Sequence, residues 1–251
     1  MPAIDLNCDL GESFGTYTIG MDEEVIPSIT SANIACGYHA GDPLVMSRTV
    51  ALCKRYGVHA GAHPGFPDLI GFGRRNMASS PAEAKAYVQY QIGALKAFCD
   101  SASIPLLHVK PHGALYNMAG KDYALAKAIC EGIYSVDRNL ILLALSGSEM
   151  IRAAADTGLA CASEVFADRA YRADGSLVPR GQEGAMIEDE DEAIARVIRM
   201  AVERKVTAID GSDIDLKADS VCVHGDGSKA LAFVVRIRAA LESAGVTVKA
   251  F

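Results

Sequence analysis

The feature that most constrains this chain is a rhythm. Along its 251 residues, strand-like runs ending in polar residues pass into stretches that carry helix signals. The first such run is "IDLNCDL". "SANIACGYHAGDP" then leads into "LVMSRTVALCKRYG", where Asp42 reads as the N-cap, Pro43 as the first helical residue and Gly57 as the stop. "GVHAGAHPGFPD" leads through a glycine-rich loop into "SSPAEAKAYVQYQIGALKAFCDSAS", where Ser80, Pro81 and Glu83 make a capping box. "IPLLHVKPHGALYN" precedes a helix near 122–134, and "NLILLALSGSE" precedes one near 147–157. "GLACASEVFADRAY" and the loop through "DGSLVPRGQEG" precede an acidic-capped helix near 188–204, and "SVCVHGDGSK" precedes one near 228–243. Seven strand-then-helix units imply parallel strands with helical crossovers, an α/β fold. No repeat, low-complexity stretch or linker divides the chain, so one domain over 1–251 is expected. A seven-stranded β/α barrel is the leading architecture. An open doubly wound sheet is the alternative, because strand order cannot be read from one sequence.

Side-chain parity sharpens this expectation. In "IDLNCDL", Ile4, Leu6, Cys8 and Leu10 share one face and Asp5, Asn7 and Asp9 the other. His59, Gly61 and His63 share a face, as do His108, Lys110 and His112, and Cys222, His224 and Asp226. Strands buried on both sides should be apolar throughout, as "LILLAL" is. Since helices cover the outside of a β/α barrel, the polar parity is expected to point into the lumen.

Composition narrows the partners. A net charge of -7 with no Lys/Arg-rich run argues against nucleic acid and an anionic membrane surface. No run approaches the length of a transmembrane helix, and acidic residues by position 5 argue against a signal peptide. Seven cysteines, odd in number and without a C-x-x-C pair, read as reduced thiols of a cytoplasmic protein.

In α/β folds the chemistry gathers where strands run into loops. Polar residues collect there: Asp9 and Glu12, Asn33 and His39, His63 and Asp68, Lys110 and His112, Ser146 and Glu149, Glu164 and Asp168, His224 and Asp226. Asp5, His59 and His108 lie early in their strands and read as hydrogen-bonded core groups. Asp9, Lys110 and His112 are costly to desolvate at strand ends and suit acid–base work. Asn33 and Ser146 could equally cap turns. Asp9, His39, His63 and His112 are candidate ligands for a divalent zinc, iron or manganese ion. With no H-E-x-x-H motif, direct hydrogen bonding to substrate or to one another without a metal is the slightly favoured reading of these groups. No G-x-S-x-G elbow supports serine chemistry. Cys8 and Cys36 read as buried, inert thiols. The "HGDGSK" turn could cradle a phosphate or simply cap a helix, and the full G-x-x-x-x-G-K-[ST] pattern is absent.

The segments "DLNCDLGE", "SANIACGYHAGDP", "GAHPGFPD", "VKPHGALYN", "EVFADRAY", "LVPR" and "CVHGD" span residues 5 to 226. Together they resemble the LamB/YcsF family, the A subunits of bacterial-type 5-oxoprolinase, with conservative aromatic changes at Tyr38 and Phe66. The resemblance implies a seven-stranded β/α barrel of the glycoside hydrolase and deacetylase kind. It implies ATP-dependent opening of 5-oxoproline to L-glutamate, with ADP and phosphate formed, together with B and C subunits. A five-membered lactam is an unreactive amide, and phosphorylation of its oxygen by ATP would activate it.

On this expectation Asp9 or His112 is the base, with Glu12 beside them, and Lys110 stabilises developing negative charge. Asn33, His39, His63, His224 and Asp226 orient substrate, water or a metal, and Arg169 or Arg180 grips the substrate carboxylate. Two other readings differ in kind: a metal-dependent deacetylase or carbohydrate hydrolase acting alone, and a non-catalytic lactam-binding subunit that regulates its partners. The oligomeric state, a homo-oligomer included, is left open.

Overall fold

The N-terminal alternation is a strand, β1 (Ala3–Leu10), in a computed structural model that describes residues 2–223 and 230–251. The chain continues through α1 (Asp22–Val25) and a 3-10 turn at Ile26–Ser28 to β2 (Ser31–Ala35), α2 (Pro43–Tyr56), β3 (His59–His63) and α3 (Pro81–Ala102). β4 (Leu106–Val109), α4 (Gly113–Ala119), α5 (Tyr123–Val136), β5 (Ile141–Leu145), α6 (Glu149–Thr157) and β6 (Cys161–Phe166) follow. The last stretch holds α7 (Glu190–Val202), β7 (Lys205–Thr207), β8 (Asp213–Asp215), β9 (Ser220–Val223), α8 (Ala230–Ser243) and β10 (Thr247–Val248).

Strands β1 to β6 and β9 pair in parallel in that order, and β9 also pairs with β1, which closes a seven-stranded barrel and excludes the open sheet. The short β10 adds to the start of β1, at Ala3 and Ile4, while β7 and β8 form a separate antiparallel hairpin.

The helix signals act where they were read. Asp42 Oδ1 accepts the amides of Leu44 and Val45, Pro43 is the first helical residue, and Gly57 closes α2 in the left-handed conformation. The Ser80–Glu83 capping box opens α3. Three crossovers differ from the expected rhythm, the sixth by the β7–β8 hairpin that follows α7. The first carries only the single turn α1, because Gly11, Gly15 and Gly20 hold φ of +70°, +55° and +78°, which a helix cannot contain. The fourth carries the additional helix α4, which starts directly after His112 and precedes the expected α5. The start of the helix expected near 228–243 lies outside the described residues, as do His224, Asp226 and the whole "HGDGSK" turn.

Ile4, Leu6, Cys8 and Leu10 are buried in the layer between barrel and helices, with Ile34, Leu142, Val165 and Val221. Each large apolar side chain so buried contributes roughly 1.5–3 kcal/mol. The opposite parity fills the lumen with polar groups: Asp5, Asn7, Asn33, His108, Glu164 and Ser220 are all buried.

Candidate active site

The lumen is a hydrogen-bonded column, as buried polar groups require. At its base Asp5 accepts hydroxyls from Thr30 at 2.6 Å, Ser31 at 2.7 Å and Ser220, and burial raises its pKa in spite of them. One layer up, the Asn7 amide donates to Ser220 Oγ at 2.7 Å, and Asn33 Nδ2 donates to Asn7 Oδ1 at 2.7 Å and to Asp9 Oδ1 at 2.9 Å. His108 Nε2 donates to Asn33 Oδ1 at 2.8 Å. Asn33 is therefore a bridge inside the barrel and caps no turn. Ser146 Oγ, by contrast, accepts the Lys217 amide at 3.0 Å, away from this column.

Lys110 stands at the top of the column. Its ammonium lies 2.9 Å from Asp9 Oδ1 and 2.7 Å from Glu164 Oε1, with Asn7 Oδ1 at 3.3 Å and Cys222 Sγ at 3.2 Å. Burial works to lower the lysine pKa, but Asp9, Cys222 and Glu164 outweigh it and hold the group well above its ordinary range. Tyr116 donates its hydroxyl to Glu164 Oε2 at 2.6 Å, which fixes the second carboxylate. Glu164 and Tyr116 thus join the centre although neither was among the expected site residues. Glu164 was already one of the strand-end polar residues, but its partner Lys110 follows β4, a strand that β6 does not adjoin.

The other half of the centre is a histidine cluster. His63 ends β3, His112 precedes α4, His39 lies in the loop after β2, and Glu12 follows Gly11 after β1. His39 and His112 stack with ring centres 3.7 Å apart, and His63 meets both edge-on. Glu12 Oε1 is 3.4 Å from His39 Nε2 and 3.8 Å from His112 Nδ1, while Asp9 Oδ2 is 3.2 Å from His63 Nε2. Burial first, and the neighbouring imidazoles second, push the pKa values of His39 and His112 well below the ordinary range. Of the four candidate metal ligands, the three imidazoles converge, but the carboxylate that converges with them is Glu12 and not Asp9. Asp9 is turned by Lys110 and Asn33, which share its Oδ1.

A cavity of about 580 Å³ opens over this centre, and Asp9, Lys110 and His112 share its wall with Arg169 and Arg180. Arg169 gives one N–H to Val178 O at 2.6 Å, leaves Nε without a hydrogen bond, and has its pKa lowered to about 10 by burial and by Arg180. Asp68 is tied to Arg75 and Glu149 to Arg152, both outside the centre. The Cys36 thiol, pushed up to about 12 by burial, matches an inert role.

These features define a β/α-barrel protein with a compact acid–base cluster where its strands end. The LamB/YcsF family model matches residues 4–251, and the chain belongs to that family. It is 67% identical over 248 residues to the 5-oxoprolinase A subunit of Clostridium beijerinckii, covering 99% of this chain and 97% of the relative. The 5-oxoprolinase A subunit of Bacillus subtilis is 56% identical, over 98% of this chain and 96% of the relative. The crystal structure of a lactam utilization protein from Thermus thermophilus superposes with a TM-score of 0.94 at 47% identity, covering 99% of this chain and 100% of that one.

Proposed function

We propose that this chain is the A subunit of an ATP-dependent 5-oxoprolinase that opens 5-oxoproline to L-glutamate, forming ADP and phosphate, in a complex with B and C subunits. Full-length identity to relatives of that name supports the reaction, and the position of Asp9 between Lys110 and His63 supports the chemistry.

The balanced reaction uses one ATP and two waters. ATP is the co-substrate of the complex, and phosphorylation of the lactam oxygen activates the ring carbon. One water then adds to that carbon, the carbon–nitrogen bond breaks, and the ring nitrogen takes up a proton, which leaves an acyl phosphate; the second water cleaves it to the glutamate carboxylate and free phosphate. Asp9 is assigned as the base that accepts the water's proton through Oδ2. His112 fits that role less well, because its Nε2 is committed to Phe72 O at 2.8 Å and its Nδ1 faces His63. Lys110 stabilises the developing negative charge, and the unbonded Nε of Arg169 suits the substrate carboxylate. Seven free thiols support action in the cytoplasm, and among the described residues no helix is long and apolar enough to cross a membrane.

Asp9→Asn and Lys110→Ala, assayed for glutamate formation in the reconstituted three-subunit complex, test the assignment. Folded variants are expected to lose about 100-fold or more in turnover, the scale of a general base. Near wild-type turnover in either folded variant would overturn it.

A further inference from the structure

The hydrogen bonds of the histidine cluster fix the positions of its protons. His63 Nδ1 lies 2.7 Å from the carbonyl oxygen of Lys110, and His112 Nε2 lies 2.8 Å from that of Phe72. A carbonyl only accepts, so each of these nitrogens carries its hydrogen. In neutral rings the remaining nitrogens, His63 Nε2 and His112 Nδ1, are then bare lone pairs, and they face each other at 2.9 Å. Two lone pairs at that distance repel unless something positive stands between or beside them.

A proton on His63 Nε2 would serve that pair and Asp9 Oδ2, but it would do nothing for His39. That ring is fully buried, Nδ1 has no hydrogen-bond partner, and Nε2 lies 3.4 Å from Glu12 Oε1 without the geometry of a hydrogen bond, so a buried imidazole is left unsatisfied by the protein alone. One ligand atom from each of His39, His63, His112 and Glu12 lies within 4.8 Å of all the others. The backbone carbonyls behind His63 and His112 are the outer partners that metal-bound imidazoles commonly have, because they set the tautomer and aim the lone pair.

We propose that His39, His63, His112 and Glu12 hold one divalent first-row transition-metal ion. Three imidazoles and a carboxylate suit zinc, manganese, iron(II) or cobalt and are a poor match to magnesium or calcium, which prefer all-oxygen shells. The four ligands come from the ends of four successive strands, β1 to β4, so the ion ties together one half of the barrel mouth. It would place a Lewis acid beside Asp9. The assignment stands on the four side chains alone and holds whatever reaction the cavity performs.

Direct binding tests it. The untagged chain, stripped with chelator and exchanged into metal-free buffer, is titrated calorimetrically with Zn2+, Mn2+ and Co2+ in excess Mg2+, and Co2+ absorption is recorded in parallel. One ion per chain is expected, with a Co2+ spectrum of nitrogen and oxygen ligands. His39→Gln and Glu12→Gln should each weaken binding on the order of 100-fold, and binding should release protons and fade as the pH falls. A wild-type chain that takes up no ion, and so carries a shared proton only, overturns the proposal whatever the variants do. So does a thiolate charge-transfer band, which would mean cysteine ligation, or binding that both substitutions leave unchanged. Failure of the glutamate assay with a bound ion present would instead count against the reaction and leave the site standing.

Discussion

Gly61 shows how tightly the column is specified at single positions. A Cβ built there would sit 2.0 Å from His108 Nε2, so the ring of the fourth strand occupies space that the third strand vacates. Gly61→Ala must push His108 off Asn33, and Asn33 is what helps to turn Asp9. The substitution is expected to cost about 1–3 kcal/mol in urea unfolding, the usual scale of overpacking, and to lower turnover as well. Pairing it with His108→Ala should return part of the stability by emptying that space. A double variant no more stable than Gly61→Ala alone would contradict the clash.

At the scale of elements, the first crossover carries a pH dependence. Asp22 opens α1 and accepts the Gly11 amide at 2.8 Å through Oδ2. Its pKa is raised from 3.8 to about 6, by burial first, with Glu12 also raising it. The folded chain therefore keeps this proton up to about pH 6 while the unfolded chain releases it near 3.8, so folding stability falls as pH rises through that window. Asp22→Asn keeps an acceptor for Gly11 and removes the charge. It is expected to gain about 1–3 kcal/mol in denaturant unfolding above about pH 7 and little below about pH 4. A gain of equal size at both pH values would refute the titration.

For the whole molecule, the C-terminus closes the barrel at the end away from the cavity. Thr247 donates its amide to Pro2 O and Lys249 to Ile4 O, and the Phe251 ring meets His108 edge-on at 5.5 Å. Deleting residues 247–251 should strip β1 of this partner and expose the base of the column, lowering the melting temperature by several degrees. An unchanged melting temperature would mean that the closure is not coupled to the fold.

Local signals in the sequence determined the seven barrel strands, though not the β7–β8 hairpin or β10, together with the caps of α2 and α3 and the inward face of β1, because periodicity and capping depend only on near neighbours. The same parity placed Asp9, His63, Lys110 and His112 at strand ends, and the polar residues just beyond the first two strands added Glu12 and His39, so most of the centre's side chains were named from sequence while their partners were not. Closure through β1 and β9, the Lys110–Glu164 pair, and the choice of Glu12 over Asp9 beside the histidines were decided by tertiary structure alone. Each depends on which strands become neighbours or face each other across the lumen, and on which competing charge turns a carboxylate, and those are properties of the closed barrel that no single segment carries.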